Sequence, residues 1–241
     1  MSTQRRLFVT ALRFCARLPA AGLKGAHVVQ PGAAARYVPI VGALIGAMGG
    51  AVYWLGAQLW PTSIAVVLSM LATAVLPGGT PANAIFEQPT SEATRNGRAS
   101  GSSVVGFVLA LLLEYNTLMA LSAASLPFAV PANVALGLIM ICGHAASRAL
   151  VVSLIASSGR DSSAPVSNGD LVFALIVGFA PAALLGIPGL IGLAIAILAR
   201  VAFGAYLKRN RNTIANGAFY AMQQLTQVCF YLAALASWPF V

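Results

Sequence analysis

The chain has 241 residues, of which 59% are hydrophobic and 8% charged. A soluble globular domain carries about 25% charged residues, so a cytosolic protein with a charged surface is excluded. A disordered chain, poor in apolar residues and rich in charge, is excluded as well. The apolar runs are long and continuous rather than alternating with period two, which favours membrane helices over a β-barrel. The net charge is +9, from 14 basic and 5 acidic residues. Those basic residues have three uses: anchoring at anionic headgroups, binding nucleic acid, or holding phosphate groups of a substrate. In a membrane protein the first is preferred, with lipid as the partner and no nucleic acid expected.

Residues 5–20 are too short to cross a bilayer, which takes about 20 apolar residues. They resemble an amphipathic helix in the interface, with Arg6, Arg13 and Arg17 near its polar side, within a basic N-terminal segment 1–36. The first span is predicted over 38–59 and the second over 62–77. A polar stretch, 78–101, follows. The third span, 102–126, carries Glu114 and Asn116. The fourth, 132–156, carries His144, Ser147 and Arg148. A polar loop, 157–169, precedes residues 170–206, which are too long for one helix. Pro181, Gly186, Pro188 and Gly189 divide them into two spans joined near 186–188. The last span is predicted over 217–238. The expectation is an all-α polytopic membrane helix bundle of about seven spans, forming one domain over 1–241.

The charges agree with that count. Six basic residues precede the first span, and the loops after the second, fourth and sixth hold Arg95 and Arg98, Arg160, and Lys208, Arg209 and Arg211. The intervening loops hold none. By the positive-inside rule the N-terminus is cytoplasmic, the C-terminus is outside, and 78–101 is a cytoplasmic loop.

Ionisable groups inside spans are costly and need a partner or a task. Arg148 either snorkels to the interface or clamps an anion. Glu114 either pairs or takes up a proton, and Arg148 on a neighbouring helix is one candidate partner. His144 reads as a hydrogen-bonded packing residue before a ligand. Cys15, Cys142 and Cys229 lack CxxC spacing and read as buried, inert thiols. No Walker A sequence is present, nor a GxGxxG opening a helix.

Several short stretches, in order, resemble one family. Leu12-Arg13-Phe14-Cys15-Ala16-Arg17-Leu18-Pro19 is similar to its "FxTRLP" opening, and Arg36-Tyr37-Val38-Pro39-Ile40-Val41-Gly42 to "RYFPLVG". Gly78-Gly79 stands at its Gly-Gly turn, and Ala146-Ser147-Arg148-Ala149 matches "LSRA". Gln223-Gln224-Leu225-Thr226-Gln227, followed by Phe230-Tyr231-Leu232, is similar to "QQLTE…FYL". The chain thus resembles the cobalamin synthases, or adenosylcobinamide-GDP ribazoletransferases, over nearly its whole length. The resemblance implies a bacterial inner-membrane enzyme that uses magnesium. It implies joining adenosylcobinamide-GDP to alpha-ribazole or its 5′-phosphate, with release of GMP. A homo-oligomer, or a complex with other corrinoid-assembly proteins, is compatible with it.

The chain departs from the family at its acids. The histidine and two aspartates after Gly-Gly become Pro81, Asn83 and Glu87. A downstream Asp-Ser-Arg becomes Asn96-Gly97-Arg98. The aspartate of a C-terminal "GD" falls at Gly217, after Asn216. The glutamate of "QQLTE" is Gln227, and a lysine usual in the third span is Glu114. Four of five acidic positions have lost their charge, whereas the arginines persist. The implied site therefore has Glu87 as metal ligand, with Asn83 and Asn96 supplying oxygens to the metal or its waters. Arg98 and Arg148 hold phosphates. Ser147, Arg160, Asn216 and Gln223 complete substrate binding. Two alternatives follow from the departures and from the broken fifth and sixth spans. One is a catalytically impaired paralogue that binds or helps assemble; the other is a corrinoid carrier.

Overall fold

The computed structural model describes residues 3–16, 31–75, 100–123, 132–157, 165–209 and 216–238, and among them all regular structure is helical. In chain order the helices are α1 (Thr3–Ala16), α2 (Pro31–Ala34), a 3-10 turn (Ala35–Tyr37), α3 (Val38–Leu59), α4 (Thr62–Val75) and α5 (Ser100–Leu121). Then come α6 (Ala132–Ser157), α7 (Asn168–Ala183), α8 (Ile187–Arg209) and α9 (Asn216–Ser237). Helices α3 to α9 lie on the seven apolar segments that the sequence marks out. Gly32–Leu59, Val134–Ser157 and Ile187–Arg209 are long and apolar enough to cross a membrane; Thr62–Ala74, Val105–Leu121 and Asn168–Ala183 are shorter apolar helices.

Local chemistry sets the helix ends. Pro39 lies in the first turn of α3, where its missing N–H leaves no bond unmade. Ser167 caps α7, its Oγ accepting from the Asp170 backbone N–H at 3.1 Å and donating to Asp170 Oδ2 at 2.7 Å; this satisfies an orphan donor of the first turn. The break expected near 186–188 falls at 184–186. Gly186 takes φ of 64° there, a left-handed conformation suited to glycine. Pro181 is tolerated inside α7.

The helices pack through small residues, as expected where lipid removes the hydrophobic drive and close contact decides. On α3, Gly42, Gly46 and Gly50 recur every four residues. A Cβ on Gly46 would sit 2.6 Å from the Met140 carbonyl oxygen, and one on Gly50 would sit 2.6 Å from the Gly137 Cα; Gly42 abuts His144 and Arg148. The pairing order shows that α3 and α6 run antiparallel with their backbones nearly touching. Helix α6 is the most enclosed, and its Ala135, Leu136, Ile139, Ala145, Ala146 and Ala149 are fully buried.

Contacts run from α3 to α6, α6 to α9, α9 to α5, α5 to α4, and α4 back to α3. Five helices therefore close a ring. Helices α7 and α8 pack behind α6 and α9. Leu55, Leu71, Leu109, Ile176, Leu198 and Val201 face outward and are exposed, as lipid-facing side chains are.

Helix α1 lies against the start of α3. Its Leu7 and Ala11 are buried, and Ala11, Phe8 and Leu12 pack on Val38, Val41, Ile45, Val152 and Ala174. The apolar face expected to dip into lipid is thus covered by protein. Arg36 locks this corner: Nη1 pairs with Asp170 Oδ1 at 3.6 Å, and Nη2 donates to Gln4 Oε1 and to Tyr37 Oη. Tyr37 Oη donates to the same Gln4 oxygen at 2.6 Å. The "RY" of the opening motif therefore ties α1, α3 and α7 together at one end of the bundle.

Candidate functional site

Three neighbouring helices of the ring, α5, α6 and α9, carry a buried polar cluster. On α6, Arg148 is 3% exposed. Both its hydrogen bonds run from Nη1 back to its own helix, to His144 Nδ1 at 3.0 Å and the His144 carbonyl oxygen at 3.2 Å. Arg148 therefore does not snorkel. It lies within electrostatic reach of Cys15 on α1 and of Tyr220 and Tyr231 on α9. No carboxylate pairs with it among the described residues. A charge taken out of water without a counter-ion is costly, which makes Arg148 a candidate for binding an anion.

Glu114 on α5 is 5% exposed. Its Oε2 accepts from Gln224 Nε2 at 2.5 Å and its Oε1 from Gln227 Nε2 at 2.7 Å. The Glu114–Arg148 pair considered from sequence is not formed. Helix α9 touches both α5 and α6, and its glutamines meet the carboxylate first. Two departures from the family pattern, Glu114 and Gln227, thus face each other across one hydrogen bond.

The predicted site residues divide in two. Arg148 and Ser147 are brought together on α6; Ser147 is buried and donates to the His144 carbonyl oxygen at 3.3 Å. Gln223 lies half-buried on α9 and Asn216 opens that helix. Asn83, Glu87, Asn96, Arg98 and Arg160 lie outside the described residues, so the metal ligand and most of the phosphate clamp are not placed. Among the described residues no group of three His, Cys, Asp or Glu gathers that could hold a metal ion.

Three participants, Gln224, Tyr231 and Arg200, were given no role in the sequence reading. Gln224 and Tyr231 extend the polar face of α9 at helical spacing from Tyr220, a pattern that a period of 3.6 would have revealed. His144, expected from sequence to be a hydrogen-bonded packing residue, is buried one turn before Arg148 and bonded to it. Arg200 on α8 donates from Nε to Ser153 Oγ at 2.9 Å, and from Nη2 to the Ser153 carbonyl at 2.8 Å and to Ser157 Oγ at 2.6 Å. Its signal was the same as that of Arg148, an arginine inside an apolar run.

Comparison with known proteins agrees with the sequence motifs. The family model for cobalamin-5-phosphate synthase matches residues 7–82. An adenosylcobinamide-GDP ribazoletransferase of Shewanella amazonensis is 29% identical, covering 99% of each chain. One of Ralstonia nicotianae is 26% identical over 94% of this chain and 93% of its own. One of Leptothrix cholodnii is 46% identical over a shorter stretch, 32% of this chain and 29% of its own. No solved structure matches. Over nearly its whole length the chain is thus similar to proteins named adenosylcobinamide-GDP ribazoletransferase, and its N-terminal third matches the cobalamin-5-phosphate synthase family model.

Proposed function

We propose that the chain is a membrane transferase of cobalamin synthesis, joining adenosylcobinamide-GDP to alpha-ribazole or its 5′-phosphate and releasing GMP. The observation that carries this reading is Arg148, buried without an acidic partner among the described residues, on the stretch that resembles the family's "LSRA". In the reaction a ribazole hydroxyl attacks the phosphorus nearer the cobinamide. A new phosphorus–oxygen bond forms, the anhydride bond to GMP breaks, and the hydroxyl proton is lost. Such transfers depend on positioning and on neutralising phosphate charge. A guanidinium supplies both through its planar fork. In this reading Arg148 holds a phosphate within the bundle, Arg98 and Arg160 bind further phosphates, and Ser147, Gln223 and Asn216 complete substrate binding.

Magnesium, bound at Glu87 with oxygens from Asn83 and Asn96, would neutralise phosphate charge. The described residues do not fit such an ion, because both carboxylates among them are engaged, Glu114 by two glutamines and Asp170 by Arg36 and Ser167. The same reading takes all seven apolar helices as spans of a bacterial inner membrane, with the N-terminus in the cytoplasm.

The loss of acids at 83, 96, 217 and 227 favours a second reading, a paralogue that binds the corrinoid nucleotide without turnover. One assay separates the two. Protein in detergent receives adenosylcobinamide-GDP, alpha-ribazole 5′-phosphate and magnesium, and GMP is measured. The transferase produces GMP, and Arg148→Gln lowers the rate by about a hundredfold or more. Substrate binding without GMP supports the paralogue. A rate unchanged in Arg148→Gln removes Arg148 from the mechanism.

A further inference from the structure

Three buried polar groups on α6 and α9 each carry an atom with no hydrogen-bond partner among the described residues. His144 is 4% exposed and its Nε2 has no hydrogen-bond partner among the described residues; Tyr231 is fully buried and its Oη likewise has none among them. Gln227 Oε1 is the third such atom. Native interiors rarely leave such groups unmet.

The protonation of His144 follows from its neighbour. A guanidinium can only donate, so His144 Nδ1, 3.0 Å from Arg148 Nη1, must accept. The ring is then neutral with its hydrogen on Nε2, which makes Nε2–H a buried, unused donor. Tyr231 offers a second. Its hydroxyl lies against α6 at Gly143, where an added Cβ would sit 2.8 Å from it, and it is within electrostatic reach of Arg148. Arg148 adds Nε and Nη2, neither bonded among the described residues. Three kinds of donor therefore stand within about one turn of α6, from Gly143 to Arg148, with one positive charge and no counter-ion among the described residues. Their common complement is an oxyanion.

The geometry points to a phosphate-binding site in which His144 Nε2–H and Tyr231 O–H donate to the oxygens of a substrate phosphate beside Arg148. This deepens the reading above and rests on it for the identity of the anion. His144 and Tyr231 are then binding residues rather than packing residues.

The test uses the full chain in detergent, with inorganic pyrophosphate as probe and calorimetry as readout. His144→Asn keeps an acceptor for Arg148 and deletes the Nε2 donor, whereas His144→Gln returns an N–H near that place. Tyr231→Phe keeps the ring against Gly143 and deletes only the hydroxyl. Expected are affinities about tenfold weaker in His144→Asn and Tyr231→Phe, with His144→Gln within about threefold of the parent, since hydrogen bonds to charged groups carry effects of that size. A purely structural histidine would not show this Asn/Gln contrast. Parent-like affinity in both donor-deleted variants, or no pyrophosphate binding by the parent, overturns the site. Displacement by phosphatidylglycerol in nanodiscs, lost in the same variants, assigns the donors to a lipid phosphate and overturns the substrate assignment. The GMP assay, run in parallel, keeps the two readings apart. Variant-sensitive pyrophosphate binding without turnover leaves the site standing and ends the transferase reading. Turnover with unchanged affinities does the reverse.

Discussion

The carboxylate of Glu114 shows how a single buried charge organises its surroundings. It takes two amide N–H groups from one helix, Gln224 and Gln227, three residues apart on α9. Leucine at position 114 would keep the volume and leave both amides without an acceptor. Unmet buried polar groups cost about 1–3 kcal/mol each, and Gln227 is 2% exposed, so it bears the full penalty. Glu114→Leu should therefore lower stability by about 2–4 kcal/mol, seen as a fall in thermal midpoint in detergent. A Glu114→Leu, Gln224→Leu, Gln227→Leu triple variant should regain much of the loss, because it removes the stranded donors together. No recovery would mean that the carboxylate acts through something other than these two bonds. Sequence alone shows that Glu114 needs a partner. Its choice of α9 over Arg148 depends on helix rotation and on the order of helices around the ring, which no local pattern encodes.

Among the elements, α6 is held from two sides by different chemistry. Toward α3 it is held by glycine contacts, and toward α8 by Arg200. The three bonds from Arg200 reach Ser153 and Ser157, in the last turns of α6, where helix carbonyls lack partners within the helix. Lysine cannot copy this clasp, since one ammonium lacks the fork that reaches both serines. Arg200→Lys and Arg200→Met should both lose about 1–3 kcal/mol, the lysine recovering less than half. A lysine variant as stable as the parent would show that only charge at this helix end matters. The helix limits themselves were legible from sequence, because apolar runs of the right length end at prolines, glycines and polar stretches. Val38–Leu59 begins and ends where the first span was drawn. The turn between α7 and α8 was misplaced by about two residues. Pro181 was accommodated within α7, and the chain turned instead at Gly186, where positive φ carries no side-chain penalty.

For the whole molecule, two independent features bear on orientation. The Arg36–Asp170 pair places the starts of α3 and α7 at the same end, and the α3–α6 glycine contacts run antiparallel. These agree with an alternating path in which even loops lie on one side. In the proposed topology the loops that hold basic residues in the sequence are these even ones, which the positive-inside rule reads as cytoplasmic. Alkaline phosphatase, active only outside the cytoplasm, reports each loop in turn. Fusions at residues 60, 129 and 185 and after Val241 should be active, and those at 97, 160 and 211 inactive. A fully reversed pattern would overturn the orientation and leave the count. An inactive fusion after Val241, with the others as expected, would overturn the count, because α9 would then fail to cross. The outcome bears on chemistry too. Arg148 lies nine residues before the end of α6 at Ser157, a depth of about 13 Å at 1.5 Å per residue. With Ser157 at the cytoplasmic face, the proposed substrate path runs along the first turns of α9, which carry Tyr220, Gln223 and Gln224. The opposite orientation would turn that path away from the compartment where nucleotides are made, and the phosphate site would lose its access.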